Sequence, residues 1–438
     1  MRAAILLGLA IVVCAGECGQ AVTRLVPDQY ATIQAAIDDC NDGDVVQVAP
    51  GTYTGDGNRD IDFKGKVITV RSEEGPGTCV INCQGSEDDP HRGFYFHSGE
   101  EEDSVLQGLT ITGAYMSVYR GGAIYCYQSS PTIRECTLVR NIARAGGGIA
   151  CSASNSLIVG CIISDNLASS NPRSWLSSGA AGGGGGIYIV GHHPIVANCI
   201  ISGNRSSEYG GGIDCAGDPA FVNCTIYGNR TGYYGYGGGI LCRYPDTEKG
   251  GVMRNCIIWG NTARTCQQIA NRGGGIAGEM PLELASCIVQ NDADAICTLV
   301  PIEGNWTSKE PYFANPGHWE PYEPNDRPPG YVDYLWVDGD YHLKSQAGRY
   351  DPDSGTWVTD GVTSPCIDGG DPFSPIGQEP FPHGGIINIG AYGGTAEASK
   401  SYFGEPVCDT IVAGDINGDC KIDFMDFNVM ALHWLEER

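Results

Sequence analysis

Small and hydrophobic residues recur along the central part of this chain in a fixed order. The motif Gly-Gly-x-Ile is repeated, and each copy is followed by a Cys that opens a short apolar segment. The repeated Ile residues are Ile124, Ile149, Ile187, Ile213, Ile240 and Ile276, and the Cys residues are Cys136, Cys161, Cys199, Cys224, Cys256 and Cys287. Alternation within each copy places Ile and Cys on one side of their strands. The pattern predicts stacked β-coils of about 25 residues each, a parallel β-solenoid.

An Asn stands at a constant distance after five of the six Cys residues. These residues are Asn141, Asn166, Asn204, Asn229 and Asn261, whereas Asn291 comes one place early in the sixth coil. An Asn at the same corner of every coil can hydrogen-bond its amide to the copies above and below. It also tolerates left-handed backbone angles, and turn preference alone would account for it.

The N-terminal region predicts a cap on the solenoid. Residues 32–37 form an amphipathic helical turn, and residues 43–53 supply a strand and a turn. Together with the repeats, this unit resembles the right-handed parallel β-helix family with the pectin lyase-like fold, over roughly residues 22–300. The resemblance implies an all-β, right-handed solenoid whose open end is covered by the short helix. Because the same solenoid carries lyases, hydrolases, adhesins and inert spacers, the resemblance leaves the function open.

Residues 301–400 lack the repeat and are rich in aromatic residues and Pro. We expect them to form an irregular covering segment and a closing coil, since such long aperiodic stretches are usually ordered by docking. The outward positions of the coils include Tyr227 and Trp259 and are too apolar for bare solvent. Either the later segment covers this face, or Tyr227 and Trp259 form a ligand-binding strip that stacks on sugar rings.

Charge and the N-terminus narrow the choice of partner and compartment. Asp plus Glu number 52 against 26 Lys plus Arg, a net charge of -26, which excludes nucleic acid as the main partner. The same charge argues against an unassisted polyuronate substrate. Arg2, the apolar run to Val13 and the small residues through Ala21 predict a signal peptide over residues 1–21. With no later membrane span expected, the protein is predicted to be secreted or at the cell surface.

The 20 Cys residues leave two chemical states open. Stacked on successive strands, their side chains come near the limit of disulfide geometry, so either buried thiols or disulfides could form the ladder. No catalytic residue is assigned. In the outward column of Tyr125, Ala150, Tyr188, Asp214, Leu241 and Ala277, Asp214 is the only acid. Asp214 and, at another corner, Asp165 are interpreted as solvated side chains.

The C-terminus carries the strongest local pattern for metal binding. Oxygen ligands for Ca²⁺ are spaced along a twelve-residue loop, with Lys421 contributing its carbonyl: Asp415, Asn417, Asp419, Lys421, Asp423 and Asp426. The loop, with the helix expected over residues 427–435, resembles one half of a type I dockerin, within residues 406–438. That resemblance implies a cohesin-like protein partner. Cys420 occupies the place where such loops have Gly, and no second copy follows.

These patterns favour a secreted β-helix protein that binds polysaccharide, or a cell-surface glycan, or that serves as an extracellular adhesion protein. The dockerin-like Ca²⁺ tail would attach it. The alternative is a polysaccharide-degrading enzyme, a lyase or a glycoside hydrolase, targeted by the tail. The alternative requires several acids, or acids with Arg, to converge in one groove.

Overall fold

The computed structural model describes residues 21–172, 182–243, 251–272, 282–290, 296–297, 302–303, 310–322, 333–404, 414 and 421–434. The predicted signal peptide, apart from Ala21, lies outside these residues. The proposed Ca²⁺ ligands Asp415, Asn417 and Asp419 also lie outside them. Within the described part of the chain, no helix has both the length and the apolar character needed to cross a bilayer.

Four parallel β-sheets, named A to D here, form the body of the molecule. In the described residues, sheet A comprises Thr23–Val26, Val45–Val48, Thr69–Ser72, Val105–Gln107, Thr132–Arg134, Leu157–Val159, Ile195–Ala197, Ala220–Val222, Gly251–Arg254, Leu282–Ala285 and Ile302–Glu303. Sheet B comprises Gly51–Tyr53, Cys79–Asn82, Thr110–Thr112, Thr137–Val139, Ile162–Ser164, Ile200–Ser202, Thr225–Tyr227, Ile257–Trp259 and Ile288–Val289. Sheet C comprises Phe94–Phe96, Ile124–Tyr127, Ile149–Ser152, Ile187–Val190, Ile213–Ala216, Ile240–Arg243, Ile269–Arg272 and Ile296–Cys297. Sheet D comprises Tyr115–Arg120, Ile142–Ala145, Leu167–Ala168, Arg205–Ser206 and Arg230–Thr231.

Each central coil passes through sheets A, B, D and C in that order, so the predicted solenoid is confirmed. The repeated Ile residues stack in register, with Ile124 beside Ile149 and Ile213 beside Ile240. Their side chains are fully buried in a continuous core that runs the length of the coils. Parallel pairing in register is favoured here because a slip by one residue would turn every Ile outward.

A different residue occupies the sheet C position that the sequence predicts for Ile276 of the sixth Gly-Gly-x-Ile copy. Ile269, rather than Ile276, pairs with Ile240 in sheet C, and Ala270, rather than Ala277, lies beside Leu241. Gln268 stands next to Ile269, and its side-chain oxygen accepts a hydrogen bond of 2.8 Å from the Asn261 amide, which extends the line of Asn side chains. The chain enters sheet C seven residues before Ile276, which lies outside the described residues.

The predicted Asn ladder is confirmed. The side-chain amide of Asn141 donates to Asn166 at 3.1 Å, and the same bond continues to Asn204, Asn229 and Asn261. The left-handed backbone angle belongs to the preceding residue instead, as in Arg140 (φ 57°) and Asp165 (φ 50°). Asn is therefore selected here for its buried amide hydrogen bonds, because an unpaired buried amide is costly.

The N-terminal cap is a single short helix, α1 (Ile33–Asp38). Thr32 begins it, since its hydroxyl accepts a hydrogen bond from the Ala35 amide at 3.2 Å. The buried face of α1 presents Ile33, Ala36 and Ile37 to the core below. A strand before the helix, Thr23–Val26, forms the first strand of sheet A and was not predicted.

The described Cys residues of the ladder are buried free thiols. Cys136, Cys161 and Cys199 each point their sulfur toward backbone carbonyl oxygens within the coil. Burial raises the pKa of the Cys79 and Cys83 thiols to about 12, so both stay protonated at neutral pH. Cys266 is the exception, being in a disulfide bond.

Residues 310–322 and 333–404 pack on the outside of the solenoid and add no strand to sheets A to D. Their strands pair antiparallel: Phe313–Asn315 with Asp340–Leu343, His318–Tyr322 with Asp333–Val337, and Arg349–Asp351 with Thr356–Val358. Asp340–Leu343 pairs within this segment, and the expected closing coil stays a prediction. A second helix, α2 (Phe424–Trp434), follows near the C-terminus.

The outer face of sheet B is the surface that this covering segment buries. Ile200, Ile257 and Ile288 are less than a tenth exposed and pack against Phe313 and Leu343. In contrast, Ile162 of an earlier coil remains 37% exposed. The outward residues of the later coils are thus apolar because the covering segment packs against them.

Candidate functional site

A column of aromatic side chains runs along the outer face of sheet C. Tyr95, Tyr125, Ala150, Tyr188 and Asp214 occupy the same position in successive strands, so their side chains point out of the solenoid. The rings of Tyr95 and Tyr125 are stacked, with centroids 5.3 Å apart and planes within 4°. The in-register Tyr pair is a direct consequence of parallel coils stacking without a shift.

A cleft of about 650 Å³ lies over this column. Its walls come from sheet C, from the strand Tyr115–Arg120 of sheet D and from the Gly-rich turns between the two sheets. The lining residues are Arg92, Tyr95, Val118, Tyr119, Arg120, Tyr125, Arg144, Ala145, Gly182, Gly183, Tyr188, Tyr209, Asp214 and Arg243. We call it the sheet C cleft. Its volume is that of a site for several sugar units or a comparable small molecule.

Arg92 places a buried cationic side chain in the sheet C cleft. Its guanidinium lies 4.7 Å from the ring centroid of Tyr95 and 5.3 Å from that of Tyr125. The side-chain atom Nη1 is buried and has no hydrogen-bond partner. Burial lowers the pKa of Arg92, because desolvation disfavours the charged form. Burying a guanidinium whose N–H donor lacks an acceptor costs free energy, and a bound ligand that pairs with the guanidinium would offset this cost.

Arg120 forms a second cationic contact in the cleft. Its guanidinium lies 5.1 Å from the ring centroid of Tyr188, and Nη1 donates to the Ser152 hydroxyl at 3.3 Å. Burial raises the pKa of the Tyr188 phenol, so Tyr188 is a neutral hydroxyl at physiological pH. The ring and the guanidinium thereby hold each other in place.

Asp214 is buried rather than solvated, so that interpretation of the sequence is wrong. Its carboxylate is fully buried and accepts two hydrogen bonds from Arg243, at 2.9 and 2.5 Å. Gly183 makes room for it, since a Cβ on Gly183 would lie 2.1 Å from Asp214 Oδ2. Burial raises the pKa of Asp214 to about 6, although Arg243 acts in the opposite direction. Asp165, at its own corner, is also buried, and burial raises its pKa to about 6.

The local charge of the sheet C cleft is opposite to that of the whole chain. Four Arg and one carboxylate, Asp214, are found among its described lining residues. Asp214 is paired with Arg243. Arg92, Arg120 and Arg144 therefore give the cleft a net positive charge in a protein whose formal charge is -26. Such a cleft attracts anions even where the molecule as a whole repels them.

The structure places Tyr227 and Trp259 side by side in sheet B, against the covering segment. Tyr227 contacts the rings of Phe313, Trp336 and Tyr341 at centroid distances of 5.6, 6.3 and 5.5 Å. The sequence left open whether this face is covered by the later segment or forms a sugar-binding strip, and the structure shows that it is covered. Tyr95, Tyr125 and Tyr188 of sheet C, by contrast, line an open cleft.

Three of the six proposed Ca²⁺ ligands are described. Lys421 and Asp423 precede α2, and Asp426 lies in its first turn. Asp423 Oδ1 accepts a hydrogen bond from the Met425 amide at 2.8 Å, and Asp426 Oδ2 accepts one from the Asp423 amide at 2.7 Å. The two carboxylates thus cap the helix reciprocally.

Sequence reasoning recovered the Tyr column but not the cleft. The sequence predicts that these positions point outward, but its interpretation considers only the acidic residues among them. Arg243 stands two residues after Leu241 on the same face, so its position could have been inferred from the strand period. Arg92 precedes its strand of sheet C, whereas Arg120 ends its strand of sheet D, and no sequence signal fixes the direction of either side chain.

A comparison with a protein-family model supports the fold. A family model described as right-handed beta helix region matches residues 82–279. The fold is a right-handed parallel β-helix. A second model, described as disaggregatase related, matches residues 326–370 of the covering segment. The crystal structure of pectate lyase Pel9A is similar at 15% identity and a TM-score of 0.44, over 82% of this chain and 90% of that chain. No curated protein matches the chain.

Proposed function

We propose that this protein binds an acidic polysaccharide outside the cell, in the sheet C cleft, without cleaving it. The observation that carries the proposal is the buried Arg92 guanidinium, which stacks on Tyr95 and leaves Nη1 without a partner. Because Arg92 lines the cleft, a carboxylate or sulfate on a sugar ring would pair with its guanidinium. The stacked Tyr95 and Tyr125 offer the apolar ring surface on which sugar faces pack.

The described lining of the cleft contains a single acidic residue, which favours binding without hydrolysis. Glycoside hydrolases generally use a pair of carboxyl groups flanking the scissile bond. Among the described lining residues, Asp214 is the sole carboxylate, and Arg243 occupies both of its oxygens. A hydrolytic pair is therefore not available from the described lining.

A lyase is the second candidate, and one observation favours it. The pKa of Asp214 is raised to about 6, close to the range in which a carboxylate exchanges protons at neutral pH. An elimination needs one base near an acidic C–H bond and a cation to hold the uronate. The cleft has the cations, although its carboxylate is buried behind Gly183.

The two candidates are separated by one pair of measurements. Native electrophoresis through gels that contain polygalacturonate or its fully methyl-esterified form measures retention by the charged and the neutral polymer. Retardation by polygalacturonate alone supports the binding proposal. The ultraviolet absorbance of the same mixture in solution reports the double bond that an elimination forms. An increase with time replaces the binding proposal with a lyase, and equal mobility in both gels contradicts both.

We further propose export by the N-terminal segment and attachment by the tail. Asp415, Asn417, Asp419, Lys421, Asp423 and Asp426 would hold Ca²⁺, with the Lys421 ligand being its carbonyl oxygen. The capping arrangement of Asp423 and Asp426 supports this, because it collects two carboxylates at the start of α2. A cohesin-like protein is the proposed partner of the tail.

A further inference from the structure

A second cleft lies where the covering segment meets sheet D. Its volume is about 650 Å³, and its described lining residues are Arg230, Thr231, Gly232, Tyr233, Thr262, Ala263, Arg264 and Trp319. We call it the corner cleft. It shares no lining residue with the sheet C cleft.

The corner cleft is held in shape by both of its walls. On the solenoid side, the Thr231 amide donates to the Thr262 carbonyl at 3.0 Å, and the Thr262 amide donates to the Asn229 carbonyl at 2.8 Å. On the other side, the indole Nε1 of Trp319 donates to the Gly228 carbonyl at 2.9 Å. That bond fixes the Trp319 ring against the coil, so the cleft depends on docking of the strand His318–Tyr322.

Aromatic side chains are exposed at the edge of the corner cleft. Tyr233 is 62% exposed and Tyr234 is 53% exposed, and their rings meet edge to face at 4.9 Å. Arg264 joins them, with its guanidinium 5.0 Å from the Tyr233 centroid and 5.7 Å from the Tyr234 centroid. The two rings form contiguous exposed aromatic surface, which is typical of surfaces that contact a ligand.

The charge of the corner cleft indicates which class of ligand it would bind. Arg230 and Arg264 are both in its lining, and no carboxylate is found among the described lining residues. In a chain with twice as many acidic as basic residues, a cleft with this composition attracts an anion. A planar carboxylate matches the guanidinium fork in geometry as well as in charge.

We propose that the corner cleft is a second glycan-binding site, which takes a carboxylate-bearing sugar between Arg264 and the rings of Tyr233 and Trp319. The sugar face packs on the aromatic rings, and its carboxylate pairs with Arg264. This site is independent of the sheet C cleft, so it can exist whether or not the function proposed above is correct. With both sites occupied, one protein molecule bridges two segments of an acidic polymer, which increases its retention by avidity.

Titration calorimetry with an oligogalacturonate tests the proposal on the full chain. The wild type is expected to bind two molecules per chain. The double variant Tyr233→Ala/Arg264→Ala is expected to bind one, and Arg92→Ala is expected to lose the other. Tyr312→Ala/Arg134→Ala is the matched control, because both residues are exposed and neither lines the sheet C cleft or the corner cleft.

Hydrogen exchange gives the location of the second site. Bound oligogalacturonate is expected to slow exchange in residues 230–237 of the wild type and of Arg92→Ala, but not of Tyr233→Ala/Arg264→Ala. Unchanged stoichiometry and no protection at 230–237 in any variant would overturn the corner site. If Arg92→Ala retains both sites, the function proposed for the sheet C cleft fails while the corner site stands. Binding of a sulfated galactan oligosaccharide at 230–237 in place of the oligogalacturonate overturns the assignment to a carboxylate.

Discussion

The indole of Trp336 sits directly on the backbone of Gly203. A Cβ at Gly203 would lie 2.1 Å from two atoms of that ring, and a Cβ on Gly228 in the next coil would lie 2.3 Å from it. Both glycines also have left-handed backbone angles, at φ 58° and φ 65°. The covering segment thus anchors on a pair of turns where no larger residue fits.

This relationship predicts that Trp336 holds the covering segment on sheet B. Trp336 is 3% exposed, so Trp336→Ala is expected to destabilise the segment by about 3 to 5 kcal/mol. Denaturant unfolding, with hydrogen exchange in residues 310–404, measures the effect. Trp357→Ala is the matched control, since Trp357 is 38% exposed. Equal loss of stability in both variants would contradict the anchoring role.

Register in the solenoid could be predicted from the sequence, whereas the placement of the covering segment could not. The Ile and Cys positions repeat, and parallel strands stack equal positions together, so Ile124 and Ile149 had to meet. Residues 310–404 have no sequence repeat that would predict their partners. The contact between Trp336 and Gly203 depends on the complementary shapes of the ring and the turn. The burial of Asp214 could not be predicted from the sequence either, because it depends on Arg243 from the next coil and on the space left by Gly183.

The thiol state of the core gives a second prediction. Fourteen described Cys residues are buried free thiols, so the native protein is expected to resist iodoacetamide. Unfolding without reductant should expose all 14 to alkylation, counted by mass spectrometry. Cys215 and Cys242 are the sensitive pair, since their sulfur atoms are 2.8 Å apart on adjacent strands. Failure of these two to react after unfolding would mean that they form a disulfide.

Glu379 predicts a pH dependence of stability. It is 8% exposed, and its Oε1 accepts hydrogen bonds from the Asn388 and Gly394 amides, both at 2.8 Å. Burial raises its pKa to about 7 from the ordinary value of 4.5. The folded protein therefore binds this proton more tightly than the unfolded chain does. Its contribution to stability is complete below pH 4.5 and is lost as the pH rises through about 7.

Glu379→Gln keeps the accepting oxygen and removes the charge. We expect this variant to unfold at a higher temperature than the wild type at pH 8, and the difference should shrink toward pH 4. Thermal unfolding across this range measures it, with the exposed Glu283→Gln as control. Parallel curves for wild type and Glu379→Gln would refute a raised pKa at this position.

The proposed Ca²⁺ loop can be tested on the whole chain. All six proposed ligands lie between Asp415 and Asp426, so a chain ending at residue 404 should lose Ca²⁺ binding in calorimetry. Asp415→Ala/Asp419→Ala in the full chain should lose it equally, with the unfolding temperature of the β-helix unchanged. Ca²⁺ binding that persists in the shortened chain would place the ion elsewhere.

The most direct test of the account is the affinity of Arg92→Ala for oligogalacturonate. Removing an unpaired buried guanidinium should leave the unfolding temperature equal or higher, while affinity at the sheet C cleft falls at least about tenfold, or about 1.4 kcal/mol. Arg134→Ala, at an exposed Arg of sheet A, is the control and should bind as the wild type does. The account predicts this separation of binding from stability in calorimetry and thermal unfolding. Wild-type affinity in Arg92→Ala, or a loss no greater than in Arg134→Ala, would contradict it.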